Sequence, residues 1–255
     1  MIIKPIKTRK LLPPEDDLFA ALRHAVKRVP ERSILAITSK IVSIGEGRCV
    51  PVESVADKDK LIISEAEYYL PRDEKTPWVM HTMKHNLLIP TAGIDESNAN
   101  GFYILWPKNP QQSAKRIYDW VKKTYGAKEF GVVITDSHSL PLRRGVMGIS
   151  LGHCGFAPLK DYRDTQDIFG RVLKVTQTNV ADGIAAAAVL AMGEGNEQTP
   201  AALATDISFV TFAEKPPRSR KQFSSFEVSP KDDLYAPFFS RIKWRKGRNS
   251  ENKKI

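Results

Sequence analysis

Cysteine is nearly missing from this 255-residue chain: Cys49 and Cys154 are the only two, far apart in sequence. Two are too few for a disulfide scaffold or a cysteine zinc site, and a reducing cytoplasm is the expected compartment. Long apolar runs are missing as well. No stretch approaches the ~20 residues of a membrane-spanning helix. The start, Met1-Ile2-Ile3-Lys4-Pro5-Ile6-Lys7, has neither the apolar region nor the small-residue cleavage site of a signal peptide. No membrane partner is expected. There is no GxxxxGK[ST] loop and no GxGxxG after a strand, so a bound nucleotide must be held in another way. His81 and His85 would share a helical face, but no Glu follows His81, which excludes the zinc-protease pattern and leaves a surface pair.

The charge is uneven. The net charge is +10, yet residues 215–255 carry 12 Lys or Arg against 4 Asp or Glu, while the first 214 residues hold 27 against 25. The expected organisation is therefore a nearly neutral body, 1–214, and a basic C-terminal extension, 215–255, divided near Lys215-Pro216-Pro217. In the extension Arg241, Lys243, Trp244, Arg245, Lys246 and Arg248 mix charge with an aromatic, as nucleic-acid contacts do. The alternative, preferred here, is that Asp232 to Ile242 packs on the body and leaves a solvated basic end; no nucleic-acid partner is expected.

What is present is an alternation of helical and strand patterns, which predicts a mixed α/β body. Leu18, Leu22 and Val26 recur at helical spacing, and Ser33–Thr38 reads as a buried strand. Leu61-Ile62-Ile63 is too short to assign, and Ser64 to Glu67 reads as a helix start. Leu87–Ile89 and Phe102–Trp106 read as strands, Ser113–Tyr125 as an amphipathic helix, Phe130–Ile134 as the central strand, and Val146–Leu151 and Arg171–Thr176 as further strands. Val180–Met192 is the clearest helix, capped by Asn179, with Asp182 favoured by the dipole of its first turn and Gly193 at its end.

Two stretches carry the chemistry. Gly93-Ile94-Asp95-Glu96-Ser97-Asn98 is a polar loop with adjacent carboxylates. Val132-Val133-Ile134-Thr135-Asp136-Ser137 is a β-branched run that stops at an aspartate. Asp95 and Asp136 are candidate ligands for magnesium or manganese carrying nucleotide phosphates; the alternative for each is a turn aspartate that satisfies its own loop. Arg143 follows Asp136 after a proline turn, and Lys40 follows a strand; both could grip phosphate oxygens or simply be solvated. Gly148-Ile149-Ser150-Leu151-Gly152 fits the GxSxG pattern, but no helix start follows and no later His completes the order, so a strand with flanking glycines is expected.

The ordered motifs resemble the coenzyme F-420-0:gamma-glutamyl ligase family. The resemblance rests on Pro14-Glu15-Asp16-Asp17-Leu18; Ser39-Lys40-Ile41-Val42-Ser43 with Gly45-Glu46-Gly47-Arg48; Ile63-Ser64-Glu65-Ala66; Ala92 to Asn98; Ser113-Ala114; Ile134-Thr135-Asp136-Ser137 with Pro141-Leu142-Arg143; and Asn179-Val180-Ala181-Asp182 leading to Ala185–Ala188. It covers about residues 1–210. It implies a two-lobed α/β fold forming an intertwined homodimer. It also implies an amide ligase that uses GTP to activate a deazaflavin carboxylate as an acyl phosphate before L-glutamate attacks, with a divalent metal, magnesium or manganese, and room for a monovalent cation. On this resemblance Asp95, Asp136 and Ser137 are metal residues, Ser39, Lys40, Ser137 and Arg143 contact nucleotide, and Arg143 and Lys40 act in catalysis.

The chain departs from the family pattern in places. After the metal Asp it reads His138-Ser139-Leu140-Pro141-Leu142-Arg143 where the family reads Phe-Gly-Arg-Pro-Trp-Arg. Val146 replaces a Gln, Gly148 a polar Asn or Asp, and Gly183 an acid. A second reading follows: a non-catalytic or substrate-shifted relative that binds nucleotide or a partner on the same scaffold.

Overall fold

The structure, a computed structural model, describes residues 1–212 and 226–249. The expected boundary at Lys215 to Pro217 lies outside the described residues. Two compact units emerge, each drawn from separate stretches: 1–11, 17–42 and 107–212 in the first, and 12–16, 43–106 and 226–249 in the second. Both mix helices and strands, as the alternating patterns predict. Among the described residues no helix is long and apolar enough to cross a membrane.

The first unit is built on a five-stranded sheet. Its strands are β1 (Ile2–Ile6), β2 (Ser33–Thr38), β8 (Phe130–His138), β9 (Met147–Cys154) and β12 (Ala201–Thr205), in the spatial order β1-β12-β2-β8-β9. Only β2 and β8 run parallel, with Thr38 opposite Thr135. Ile34 to Ile37 and Val132 to Ile134 are fully buried, which is why both read as unbroken apolar runs instead of alternating ones. Helix α4 (Pro110–Tyr125) begins at Asn109, whose side chain accepts the Gln112 N–H, and stops at Gly126 with φ 70°. Helix α5 (Val180–Met192) has the bounds and the Asn179 cap that its sequence predicts.

A β-bulge between Ile134 and Thr135 shifts the β8–β9 register. The extra residue reverses which side of the sheet later β9 residues face. Gly152 accordingly meets the start of α4 at Pro110, whereas Gly148 meets the backbone of α5 at Ala185. Gly148 to Gly152 therefore lies within a strand, as expected, and forms no nucleophile elbow.

The second unit holds a four-stranded sheet in the order β13-β4-β5-β6, formed by β4 (Tyr68–Tyr69), β5 (His81–Lys84), β6 (Leu87–Pro90) and β13 (Arg245–Lys246). A hairpin of β3 (Cys49–Pro51) with β7 (Phe102–Ile104) and the helix α3 (Lys58–Glu65) complete it. Ile62, Ala66, Met80, Ala92, Ile94, Tyr103 and Leu105 form its core.

Several boundaries differ from the sequence reading. Ser64 and Glu65 end a helix instead of starting one, because Asp57 caps α3 seven residues earlier through the N–H groups of Asp59 and Lys60. His81 lies in β5, and His85 shares a two-residue turn with Asn86, both at positive φ, so the two histidines never share a helical face. The alternating run 171–176 is not a strand; only Gln177–Asn179 is, as β11, paired with β10 (Leu159–Asp161). The central strand continues past Ile134 to His138, which places Asp136 inside it. In the extension, Arg245 and Lys246 are the residues stitched to β4, while Asp232 to Ile242 is mostly exposed or half-buried.

Candidate functional site

Parallel pairing of β2 with β8 determines what meets at their common C-terminal edge. Since Thr38 and Thr135 stand side by side, Ser39 and Lys40, which open the helix after β2, follow at the same end of the sheet at which Asp136 and Ser137 continue β8 alongside β9. Ligands of α/β sheets bind outside the carboxyl ends of such strands. Ser39 is buried at the start of the helix α2 (Ser39–Ile44), and Lys40 and Asp136 are half-buried. Four of the six expected residues are thus brought together. Arg143 sits in the exposed loop that links β8 to β9, its N–H donating to the Leu140 carbonyl at 3.3 Å. Asp95 belongs to the second unit.

Three further residues at this end of the sheet, Glu194, Asp182 and His138, are linked to it only by the fold. The Ser137 hydroxyl donates to Glu194 Oε1 at 2.6 Å. Asp182 accepts the Ser150 N–H at 2.7 Å and the Asn179 amide at 2.6 Å, so it ties α5 to β9 as well as completing the cap. His138 is half-buried; burial pushes its imidazole below the usual histidine value, opposed by the nearby Asp182 carboxylate. Its Nδ1 is buried and makes no hydrogen bond. Nothing in the spacing of 137, 182 and 194 relates them; only the packing of α5 on β8 and β9 does.

The donors at this edge are a carboxylate and a hydroxyl, hard oxygen ligands of the kind magnesium and manganese take. Because the Ser137 proton goes to Glu194, its oxygen keeps lone pairs of the kind that ligate a cation. Among the described residues no group of three or more His, Cys, Asp or Glu converges. Magnesium sites commonly use one or two carboxylates and complete the shell with water and substrate phosphates. The residues fit such an ion.

In the second unit Asp95 is pinned by its backbone. Its N–H donates to Ile104 at 3.0 Å and its carbonyl accepts the Ile104 N–H at 2.8 Å. Its Oδ1 accepts the Ser97 N–H at 2.7 Å, the bond of a turn aspartate that satisfies its own loop. Neighbouring Glu96 pairs with Lys58 at 3.1 Å.

The same unit contains a buried charge cluster that the sequence did not announce. Lys84 is 1% exposed. Its Nζ lies 2.7 Å from Glu65 Oε2, which Arg48 also reaches at 2.7 Å. Burial disfavours the Glu65 carboxylate, but Lys84 and Arg48 together outweigh it and hold its carboxyl below the usual range. Burial pulls the Lys84 ammonium the other way, below the ordinary lysine value.

The departures from the family pattern also acquire locations. Val146 is exposed in the β8–β9 loop. A side chain at Gly148 would enter the backbone of α5, whereas Gly183 has nothing within 4 Å of where a Cβ would stand.

Residues 6–206 match the model of the F420-0:Gamma-glutamyl ligase family. The chain is 30% identical over 218 residues to the coenzyme F420:L-glutamate ligase of Methanopyrus kandleri, covering 79% of this chain and 85% of that protein. It is 33% identical over 192 residues to the enzyme of the same name from Methanocaldococcus jannaschii, covering 68% and 74%. With that of Archaeoglobus fulgidus the identity is 33% over 211 residues, covering 77% and 84%. The chain belongs to the F420-0:Gamma-glutamyl ligase family.

Proposed function

From that family membership we propose that the chain joins L-glutamate to a carboxylate of coenzyme F420-0 or a related deazaflavin acceptor, at the expense of GTP. An oxygen of the acceptor carboxylate attacks the γ-phosphorus, GDP leaves, and an acyl phosphate forms. The glutamate nitrogen then attacks the acyl carbon, inorganic phosphate leaves, and the nitrogen loses a proton as the amide forms. Barriers of this kind fall mainly through charge neutralisation and positioning.

The observation that carries the reading is the C-terminal end of the β2–β8 pair, where Ser39 and Lys40 follow β2 and Asp136 and Ser137 continue β8. Lys40 and Arg143 neutralise phosphate oxygens, the Ser39 hydroxyl orients them, and Ser137, whose proton is given to Glu194, acts on the nucleotide through the metal. In the first unit Asp136 and Ser137 are the residues that would hold magnesium or manganese, which supplies charge neutralisation on the phosphates when bound; in the second unit Asp95 is a further candidate ligand, considered by itself. A homodimer is part of the reading. The arm formed by β10 and β11 carries Ile168, Phe169 and Val175, each at least 85% exposed, and apolar residues so placed suit burial against a second copy.

The test is incubation of the purified chain with F420-0, L-glutamate, GTP and manganese, followed by mass spectrometry of the deazaflavin and assay of GDP. A glutamylated product with matching GDP supports the ligase reading. One observation favours the second reading, a non-catalytic or substrate-shifted relative: Gly148 is packed beneath α5 and offers no polar group. GTP binding with neither product nor GDP would select it.

A further inference from the structure

We propose that Thr82 and Lys84 are positioning residues for Asp95, holding a left-handed turn that sets where its carboxylate stands. The proposal rests on the reading of Asp95 as a metal ligand. Thr91, Ala92 and Gly93, just before it in the chain, have φ of 53°, 55° and 71°. Three successive residues of left-handed conformation are unusual, and a β-branched threonine among them is strained. Such backbone persists only where its surroundings over-determine it.

The surroundings are specific. The Thr91 N–H donates to the Met80 carbonyl at 2.7 Å, and the Ile94 N–H closes the turn on the Thr91 carbonyl at 3.1 Å. The Ala92 N–H donates to Thr82 Oγ1 at 2.8 Å, and that hydroxyl donates onward to the Ile89 carbonyl. Lys84 Nζ donates to the Ala92 carbonyl at 3.4 Å while it holds Glu65. Both polar groups of the Ala92 backbone are therefore held by adjacent positions of one face of β5. Against the next residue lies Trp106: a Cβ on Gly93 would stand 2.2 Å from its ring. Arg48 anchors that tryptophan, donating from Nε to its carbonyl at 3.2 Å, and joins it to Glu65.

Thr82 is fully buried and Lys84 nearly so. A buried ammonium is costly to maintain, and packing alone would be better served by an apolar side chain. Its partners here are the turn and the carboxylate that neutralises it. From Gly93 the chain has one residue, Ile94, before Asp95, whose backbone is bonded to Ile104 at both its polar groups. Asp95 is thus placed by two constraints, the turn that leads into it and the Ile104 bonds, and loosening the turn leaves its side chain held by the second alone.

The experiment measures manganese binding to the full chain by calorimetry in the presence of GTP, alongside thermal melting. Thr82→Val keeps the shape and removes both hydroxyl bonds; Thr82→Ser restores them; Lys84→Met removes the ammonium. Thr82→Val and Lys84→Met are expected to weaken manganese binding about tenfold, as loss of groups that orient a metal ligand does, and Thr82→Ser to stay within about twofold of the wild type. Ile62→Val, a methyl removed from the same core, lowers the melting temperature but leaves manganese affinity unchanged. If Thr82→Val binds manganese as Ile62→Val does, the proposal is overturned. Asp95→Asn separates the two readings: unchanged manganese affinity in that variant refutes Asp95 as a ligand, whereas weakened affinity there with normal binding in Thr82→Val refutes only the positioning role. Should Lys84→Met fail to fold, the uncharged and isosteric Thr82→Val carries the test.

Discussion

Gly148 of β9 and Ala185 of α5 approach so closely that a Cβ built on the glycine would lie 2.3 Å from the alanine carbonyl oxygen. A backbone atom cannot give way as a side-chain tip can. Gly148→Ala is expected to cost about 1–3 kcal/mol, the usual range for overpacking. Gly183, on the same helix and with open space around it, should behave oppositely: Gly183→Ala stabilises by about 0.5–1 kcal/mol through helix propensity. Chemical denaturation of the two variants, with a fall in one and a rise in the other, checks the pair.

Asp136→Ala removes a carboxylate from the edge of a sheet whose buried strands lie further back. Turnover should fall about a hundredfold or more, the scale for losing one preorganised electrostatic contact. The melting temperature should stay close to that of the wild type. Near-normal turnover would exclude Asp136 from the chemistry.

Glu65→Gln leaves the Lys84 ammonium buried beside Arg48 with only the more weakly acting Glu67 carboxylate to oppose it. Breaking a buried pair in this way destabilises by about 3–5 kcal/mol. The carboxyl of Glu65 is held below its ordinary value in the folded chain, so its contribution is fully present above the unfolded value of 4.5 and is lost as pH falls through the folded one. Urea melts of wild type and variant should converge in acid and differ at neutral pH.

His153 on β9 is buried, and burial pulls its imidazole from 6.5 down to about 4. The folded chain therefore takes up this proton later than the unfolded chain does. Stability from the neutral ring is complete above 6.5 and drains away as pH falls towards 4. Between pH 7 and pH 5 the loss is about 2 kcal/mol, at ~1.4 kcal/mol per pH unit per proton. His153→Leu should flatten that slope; an unchanged slope would mean the ring is protonated in the fold.

The legible parts of the sequence were those in which one element carries its own signal. Asn179 with the run to Met192, and Ser33 to Thr38 as unbroken apolar residues, needed no neighbour to be recognised. Short segments were read less well. Leu61 to Ile63 became helix because of a cap at Asp57, and 171–176 stayed irregular although its residues alternate. The candidate ligands Asp95 and Asp136 were visible as carboxylates beside apolar runs. The Glu194 partner of Ser137 and the cluster of Arg48, Glu65 and Lys84 were not, because these residues lie 17 to 57 positions apart.

By itself the sequence determined the family, the mixed α/β character and which residue types were available for phosphate and metal, since periodicity, caps and ordered motifs are local properties of a chain. The tertiary structure alone decided which of them meet. Parallel register put Thr38 beside Thr135, so that Ser39 and Asp136 follow at one end of the sheet, a bulge turned Gly148 towards α5, and a buried lysine found both its carboxylate and the turn before Asp95. Those meetings depend on how sheets pair and pack over long separations, and the free energy that selects them is collective, belonging to no single stretch of residues.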